Sequence, residues 1–157
     1  MQPKKIYMKC FIVLFMLPFF IGAQENTSIF EQGYWKTDYD SALETAKRDK
    51  QNILVYFTGS DWCPPCKMLK KDFFETSEFK ILSNNYVLLY IDIPRSSNSI
   101  SKSQMAHNKQ LLPKLNKKGV FPLIKIINSR GEVLDELSGY RMNGDIQPYV
   151  ALMNTYN

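Results

Sequence analysis

Cys63 and Cys66 are separated by two residues in the string Thr58-Gly59-Ser60-Asp61-Trp62-Cys63-Pro64-Pro65-Cys66-Lys67. The string follows an apolar run, Ile53-Leu54-Val55-Tyr56-Phe57, which reads as a strand, and it opens what reads as a helix. Two thiols so spaced at a helix start can close a small disulfide ring. The first thiolate is then stabilised by the positive end of the helix and by nearby unpaired N–H groups. That is the chemistry of a redox dithiol. The same spacing also serves half a zinc site or a structural staple, and the pair taken alone leaves all three readings open.

The N-terminus bears on the compartment these thiols would meet. Residues 1–9 carry Lys4, Lys5 and Lys9 and no acid; residues 10–21 are nearly all apolar; Gly22 and Ala23 precede the polar Gln24-Glu25-Asn26-Thr27. This is the three-part form of a secretory signal peptide, with cleavage expected near Ala23. The apolar stretch is about a dozen residues, short of the ~20 needed to span a bilayer, so a cleaved signal is expected and not an anchor. Cys10 lies before that stretch, not at its polar exit where lipid attachment would need it, and leaves with the signal.

Cleavage there leaves 134 residues, two cysteines and 17 basic against 15 acidic residues, so the net charge falls from +5 to +2. The basicity of the precursor is largely a targeting feature and lends no support to nucleic-acid binding. The length suits one domain with one core, and neither an internal repeat nor a second apolar stretch of spanning length is present, so no stable membrane insertion is expected after cleavage.

The elements that must hold the dithiol follow from periodicity. Residues 24–34 are polar and read as a flexible lead to the domain, which starts at Trp35, a core anchor for the first helix. Tyr39, Ala42, Leu43 and Ala46 recur at helical spacing. Beyond the cysteines, Met68, Leu69, Phe73 and Phe74 continue a helix, and Ser77 is the expected cap of a short one through Leu82. Val87-Leu88-Leu89-Tyr90-Ile91-Asp92 is an uninterrupted run, as in a strand buried on both faces.

Residues 95–103 read as a Ser/Asn-rich loop. A helix follows through Leu115, kinked or divided by Pro113. Phe121-Pro122 opens the strand Leu123-Ile124-Lys125-Ile126-Ile127, which turns at Asn128-Ser129-Arg130-Gly131 into an alternating hairpin partner over residues 132–137. Gly139 and Gly144 bracket a linker, and a helix over about residues 145–153 closes the chain. The order is that of an α/β protein, with a central mixed β-sheet flanked by helices on both faces. Its first half winds parallel and its end is a hairpin.

This order of elements, the Trp-Cys-x-x-Cys-Lys string after a strand, and a proline opening a later strand resemble the thioredoxin superfamily over about residues 35–153. The wording Phe57-Thr58-Gly59-Ser60-Asp61-Trp62-Cys63-Pro64-Pro65-Cys66-Lys67 is similar to secreted thioredoxin-like proteins of envelope compartments. The resemblance implies a thiol–disulfide oxidoreductase, periplasmic or secreted, that needs no bound cofactor or metal. It would act on protein thiols and disulfides and exchange electrons with a membrane or soluble redox partner.

Residue by residue, Cys63 matches the exposed attacking cysteine and Cys66 the buried resolving cysteine. Trp62 matches a half-exposed aromatic that shields the pair and contacts substrate. Pro122 matches a cis proline lying against the dithiol, which leaves the Phe121 backbone free to pair with an extended substrate segment. Two departures stand out. The family's buried Asp before the motif falls at Tyr56 or Phe57, and a Lys facing it falls near Leu88, so the proton of the resolving thiol is left to water, to Asp61 or to no side chain.

Pro64 removes a further N–H from the helix start. A less stabilised thiolate tilts the pair toward reduction, against the opposing pull of Lys67 and the helix dipole. His107, the only histidine, reads as a surface residue, and the Lys67, Lys70, Lys71 run as a solvated helix face. The competing function is a soft-metal-binding module or metallochaperone using the same two cysteines.

Overall fold

The computed structural model describes residues 33–157. The expected signal peptide, residues 1–23, and nearly all of the lead segment 24–34 lie outside the described residues. Strands β1 (Trp35–Lys36), β2 (Asn52–Thr58), β3 (Tyr86–Asp92), β4 (Leu123–Ile127) and β5 (Val133–Ser138) form one sheet in the order β1-β3-β2-β4-β5. β1, β3 and β2 run parallel, and β4 and β5 join antiparallel. The helices are α1 (Tyr39–Asp49), α2 (Pro64–Leu69), α3 (Ser77–Ser83), α4 (Lys102–Leu115) and α5 (Gln147–Thr155). The architecture is thioredoxin-like.

Alternation along the central strands divides two cores. Ile53, Val55 and Phe57 of β2 face α1 and α4 with Ala42, Ala46, Leu111 and Leu115, whereas Leu54 and Tyr56 face the other layer. That second layer is aromatic: Phe73, Phe74 and Phe79 are fully buried, and Tyr149, Leu152 and Met153 of α5 close it. Each such side chain withdrawn from water is worth about 1.5–3 kcal/mol, which explains why β2 and β3 read as nearly unbroken apolar runs and β4 carries Lys125 as its one charged residue.

Trp35 packs as the anchor expected, stacked on Phe79 with centroids 6.0 Å apart and edge-on to Phe74 at 5.5 Å. It also forms, with Lys36, a strand beside Leu88 and Leu89 that periodicity does not reveal, because two residues have none. α2 widens into a π-helical turn over Lys70–Phe74. The extra residue in that turn lets neighbouring Phe73 and Phe74 both reach the core.

Several expected boundaries move. The cap of α3 is Thr76, whose Oγ1 accepts from Phe79 N at 3.1 Å, and not Ser77. Pro113 does not divide α4 into separate helices. It sits in the last turn, where it forgoes a single hydrogen bond to an exposed residue, and Asn116 N still donates to Leu112 O at 2.8 Å. β5 does not alternate: it is an edge strand whose residues are almost all exposed, so no second layer imposes a period of two.

At the hairpin turn Gly131 has φ +82°, and a Cβ there would fall 2.5 Å from the Tyr39 hydroxyl. Only glycine meets both demands. No helix among the described residues is long and apolar enough to cross a membrane.

Candidate active site

β2 ends in a turn, Gly59 to Trp62, that delivers Cys63 to the N-cap of α2. Trp62 N and Cys63 N both donate to Gly59 O, at 3.2 and 2.9 Å. Pro64 and Pro65 occupy the first two helical positions, where a missing N–H costs nothing and φ is already set. Cys66 is therefore the first residue of α2 able to donate, and its N–H points at Cys63 Sγ, 3.3 Å away. The two cysteines form a disulfide with an S–S length of 2.06 Å.

Cys63 is only 3% exposed, and Cys66 1%. Cys66 is buried as expected, but the burial of Cys63 corrects the expectation of an exposed thiol. Its Sγ turns back over the first turn of α2, where it is bonded to Cys66 and receives the Cys66 amide.

Trp62 is half-buried as expected, and three contacts fix it. Its Nε1 donates to Ile93 O at 2.7 Å, its ring meets Phe121 edge-on at 5.3 Å, and the Arg95 guanidinium lies 4.7 Å from the ring centre. The Phe121-Pro122 peptide is cis. The Trp62–Phe121 contact brings this turn beside the residue that precedes Cys63, so Trp62, Cys63, Cys66, Phe121 and Pro122 gather at one end of the sheet. Pro122 O also accepts from Gly139 N at 2.8 Å, which ties the 139–146 loop to the same end.

Glycine is required at residue 59 by space and not by backbone freedom. A Cβ there would stand 2.3 Å from Trp62 Cε2 and 2.6 Å from its Nε1. Gly59→Ala is expected to push the indole off Ile93 O and away from Phe121, at about 1–3 kcal/mol of stability. The checks are a shift in tryptophan emission and slower disulfide exchange by the folded variant.

Several neighbours of the site were not singled out by the sequence reading. Asp92, buried at the end of β3, accepts from Ser60 N at 2.9 Å and Ser60 Oγ at 2.5 Å. Asn108 Nδ2 in turn donates to Asp92 O at 2.7 Å. An acid closing an otherwise apolar strand was the available signal. Tyr56 OH donates to Cys66 O at 3.1 Å, and a cavity of about 230 Å³ lies beside Cys66, lined by Tyr56, Thr58, Ser60, Lys67, Lys70 and Tyr90. Burial pushes the Tyr56 and Tyr90 hydroxyls well above the ordinary phenol range, so they act as neutral donors and not as bases.

Asp61, one of the groups to which the Cys66 proton could fall, is committed elsewhere. Its carboxylate accepts from Ser96 N at 2.7 Å and from Arg95 N at 3.0 Å, and its carbonyl accepts from Lys67 Nζ at 2.9 Å. These amides hold its pKa below the usual carboxylate value, Ser96 first and Arg95 next. The clasp on residues 95–96 is thus complete above the ordinary Asp range and is lost as pH falls through the lowered folded-state value. Acid titration of the Arg95 and Ser96 amide resonances should show this step, and Asp61→Asn should abolish it.

His107 is not the free surface residue expected. Its Nε2 accepts from Tyr39 N at 3.2 Å, and its Nδ1 lies 3.9 Å from Asp38, because α4 packs its first turns against the start of α1. Among the described residues no group of three or more His, Cys, Asp or Glu side chains is placed to hold a metal ion.

A thioredoxin-like family model matches residues 34–128, and the chain belongs to that family. It is similar to the disulfide bond reductase DsbH of Chlamydia pneumoniae, 30% identical over 111 residues that cover 70% of this chain and 64% of the relative. It also resembles the thioredoxin-related protein DsbJ of the same organism, 36% identical over 59 residues, 37% of this chain and 17% of that one. The chain spans less than two thirds of the length of these two curated relatives. Among solved structures, a DsbH oxidoreductase superposes with a TM-score of 0.65 at 28% identity, covering 78% of this chain and 82% of that one.

Proposed function

We propose that this chain is a thiol–disulfide oxidoreductase of the cell envelope, exported by residues 1–23, that exchanges disulfides with protein substrates and leans to reduction. The observation that carries the reading is the Cys63–Cys66 disulfide at the start of α2, with the Cys66 amide on Cys63 Sγ and the Trp62, Phe121 and Pro122 surface beside it. The likeness to a disulfide bond reductase supports the direction.

In the reduced protein the Cys63 thiolate attacks a substrate disulfide, forms a mixed disulfide and expels one substrate thiolate. Cys66, losing its proton to water in the cavity beside it, attacks Cys63 Sγ. The internal disulfide forms, the second substrate thiolate leaves, and two electrons have passed to the substrate. A dithiol partner, membrane-bound or soluble, then returns the pair to the reduced state. Trp62 and the Phe121 backbone present the substrate, and Pro122 borders the dithiol.

The reductive lean rests on the helix start. With prolines at its first two positions, Cys66 is the one residue of that first turn donating to Cys63 Sγ, and a thiolate with few donors is a poorly stabilised reduced form. The potential should lie nearer the about −270 mV of thioredoxin than the about −120 mV of a strong oxidant. Reduced protein, freed of excess reductant, should reduce the interchain disulfides of insulin, and equilibration with glutathione should give the potential. Stoichiometric soft metal on protein purified under reducing conditions, without disulfide reduction, would favour the metal-binding module instead.

A further inference from the structure

A second groove opens next to the dithiol, on the far side of Arg95. It encloses about 280 Å³ between the 94–101 loop and α4, with Pro94, Ile100 and Met105 as its apolar lining and Arg95, Lys102 and Lys109 as its cations. No acid lines it. Lys102, Met105 and Lys109 recur at i, i+3 and i+7, so α4 turns all three to one face. None of the three cations forms an ion pair among the described residues. Asp61, which accepts from the Ser96 and Arg95 amides, and Asp92, which accepts from Ser60, make no ion pair with these cations among the described residues.

The groove is continuous with the proposed site. Arg95 bounds it and also lies over the Trp62 ring, one residue from Cys63. A polypeptide whose cysteine reaches Cys63 and whose chain runs across Arg95 enters the groove. Seven residues of α4 separate Lys102 from Lys109, about 10 Å along the axis, which an extended chain at about 3.3 Å per residue crosses in about three residues.

We infer that this groove docks an acidic segment of a protein partner, with carboxylates two residues apart so that both face the groove from an extended chain, flanking the partner's reactive cysteine. The inference rests on the oxidoreductase reading and adds the charge of the partner. Complementary charge acts mainly on the encounter rate and fades with salt.

The test uses two peptides of equal length, each with one cysteine held as a mixed disulfide with a small thiol. In one the cysteine is flanked on both sides by Glu-Leu-Glu, in the other by Lys-Leu-Lys. The reduced protein should reduce the acidic peptide about tenfold faster at low ionic strength, the sum of a few exposed pairs, and the preference should vanish at high salt. Lys102→Glu with Lys109→Glu should reverse the preference while leaving reduction of uncharged hydroxyethyl disulfide unchanged. An acid at residue 102 suits the start of α4, so the variant should fold.

Equal rates for the two peptides, or a preference that survives the double charge reversal, would overturn the inference. Failure of the wild type on hydroxyethyl disulfide would count against the oxidoreductase reading instead. The groove is then still tested by anisotropy of a labelled, cysteine-free Glu-Leu-Glu peptide: binding lost on charge reversal upholds it, and no binding sinks it.

Discussion

Cys66→Ser is expected to turn the dithiol into a trap. Attack by Cys63 needs only its own thiolate and a substrate disulfide, so the mixed disulfide still forms. Its release is normally intramolecular, from a group three residues away whose amide already touches Cys63 Sγ. Effective molarities of well-oriented groups reach about 10⁵–10⁸ M, which no thiol in solution replaces. Substrate proteins should therefore accumulate covalently on Cys63 and appear on non-reducing gels of envelope extracts. Cys63→Ser should yield almost no adducts: exposure alone does not separate the two cysteines, but Cys66 is held within the helix with Tyr56 OH on its carbonyl, whereas Cys63 caps the helix from outside it beside the Trp62 ring. Equal absence of adducts from both variants, with the fold intact and oxidised partners present, would remove the case for exchange chemistry.

The largest loss of stability is expected at Phe74. The ring is fully buried and meets Tyr56 at 4.5 Å, Phe79 at 4.9 Å, Phe73 at 5.3 Å and Trp35 at 5.5 Å between centroids. It links the π-helical turn to the strand that carries the site. Phe74→Ala should cost about 3–5 kcal/mol, from lost transfer and an unfilled cavity, against a total of roughly 5–15 kcal/mol for a domain. Thermal unfolding should fall by roughly 10–20 °C. Ile81→Ala, at a side chain 70% exposed, serves as the control and should stay within about 0.5 kcal/mol. A Phe74 loss no larger than that of Ile81 would show that the aromatic layer is not what fastens α2 to the sheet.

The parts legible in the sequence are those with a repeated physical cause. β2 and β3 are buried on both faces and therefore nearly uninterrupted, β4 is apolar but for Lys125, α1 is amphipathic, and the cysteine pair follows a strand and opens a helix. The unread parts depend on single contacts between distant residues. β1 exists because Trp35 and Lys36 meet Leu88 and Leu89, Asp61 is spent on a loop more than thirty residues away, and His107 serves the amide of Tyr39. Gly59 falls in the same class: its need for no side chain is set by where the Trp62 ring lies. Burial of Cys63 followed from the direction of one Sγ, which spacing does not specify.

The two margins of the sheet are unequal, and on the proposed function the difference matters for contact with incompletely folded proteins. An unpaired strand margin recruits any extended chain through its backbone, whatever its sequence, and so invites aggregation. β1 offers two residues, too few to template such growth. β5 offers six, with Val133 and Leu134 in the open, but Asp135 and Glu136 follow them, and the pairing with β4 is broken by an irregularity between Ile126 and Ile127. Charge and distortion together discourage indiscriminate adhesion along the long margin. On the proposed function, a client strand would be left with the short stretch of backbone at Phe121 as its place to pair, which would confine capture to the neighbourhood of the sulfurs and let each client go once its cysteines have reacted.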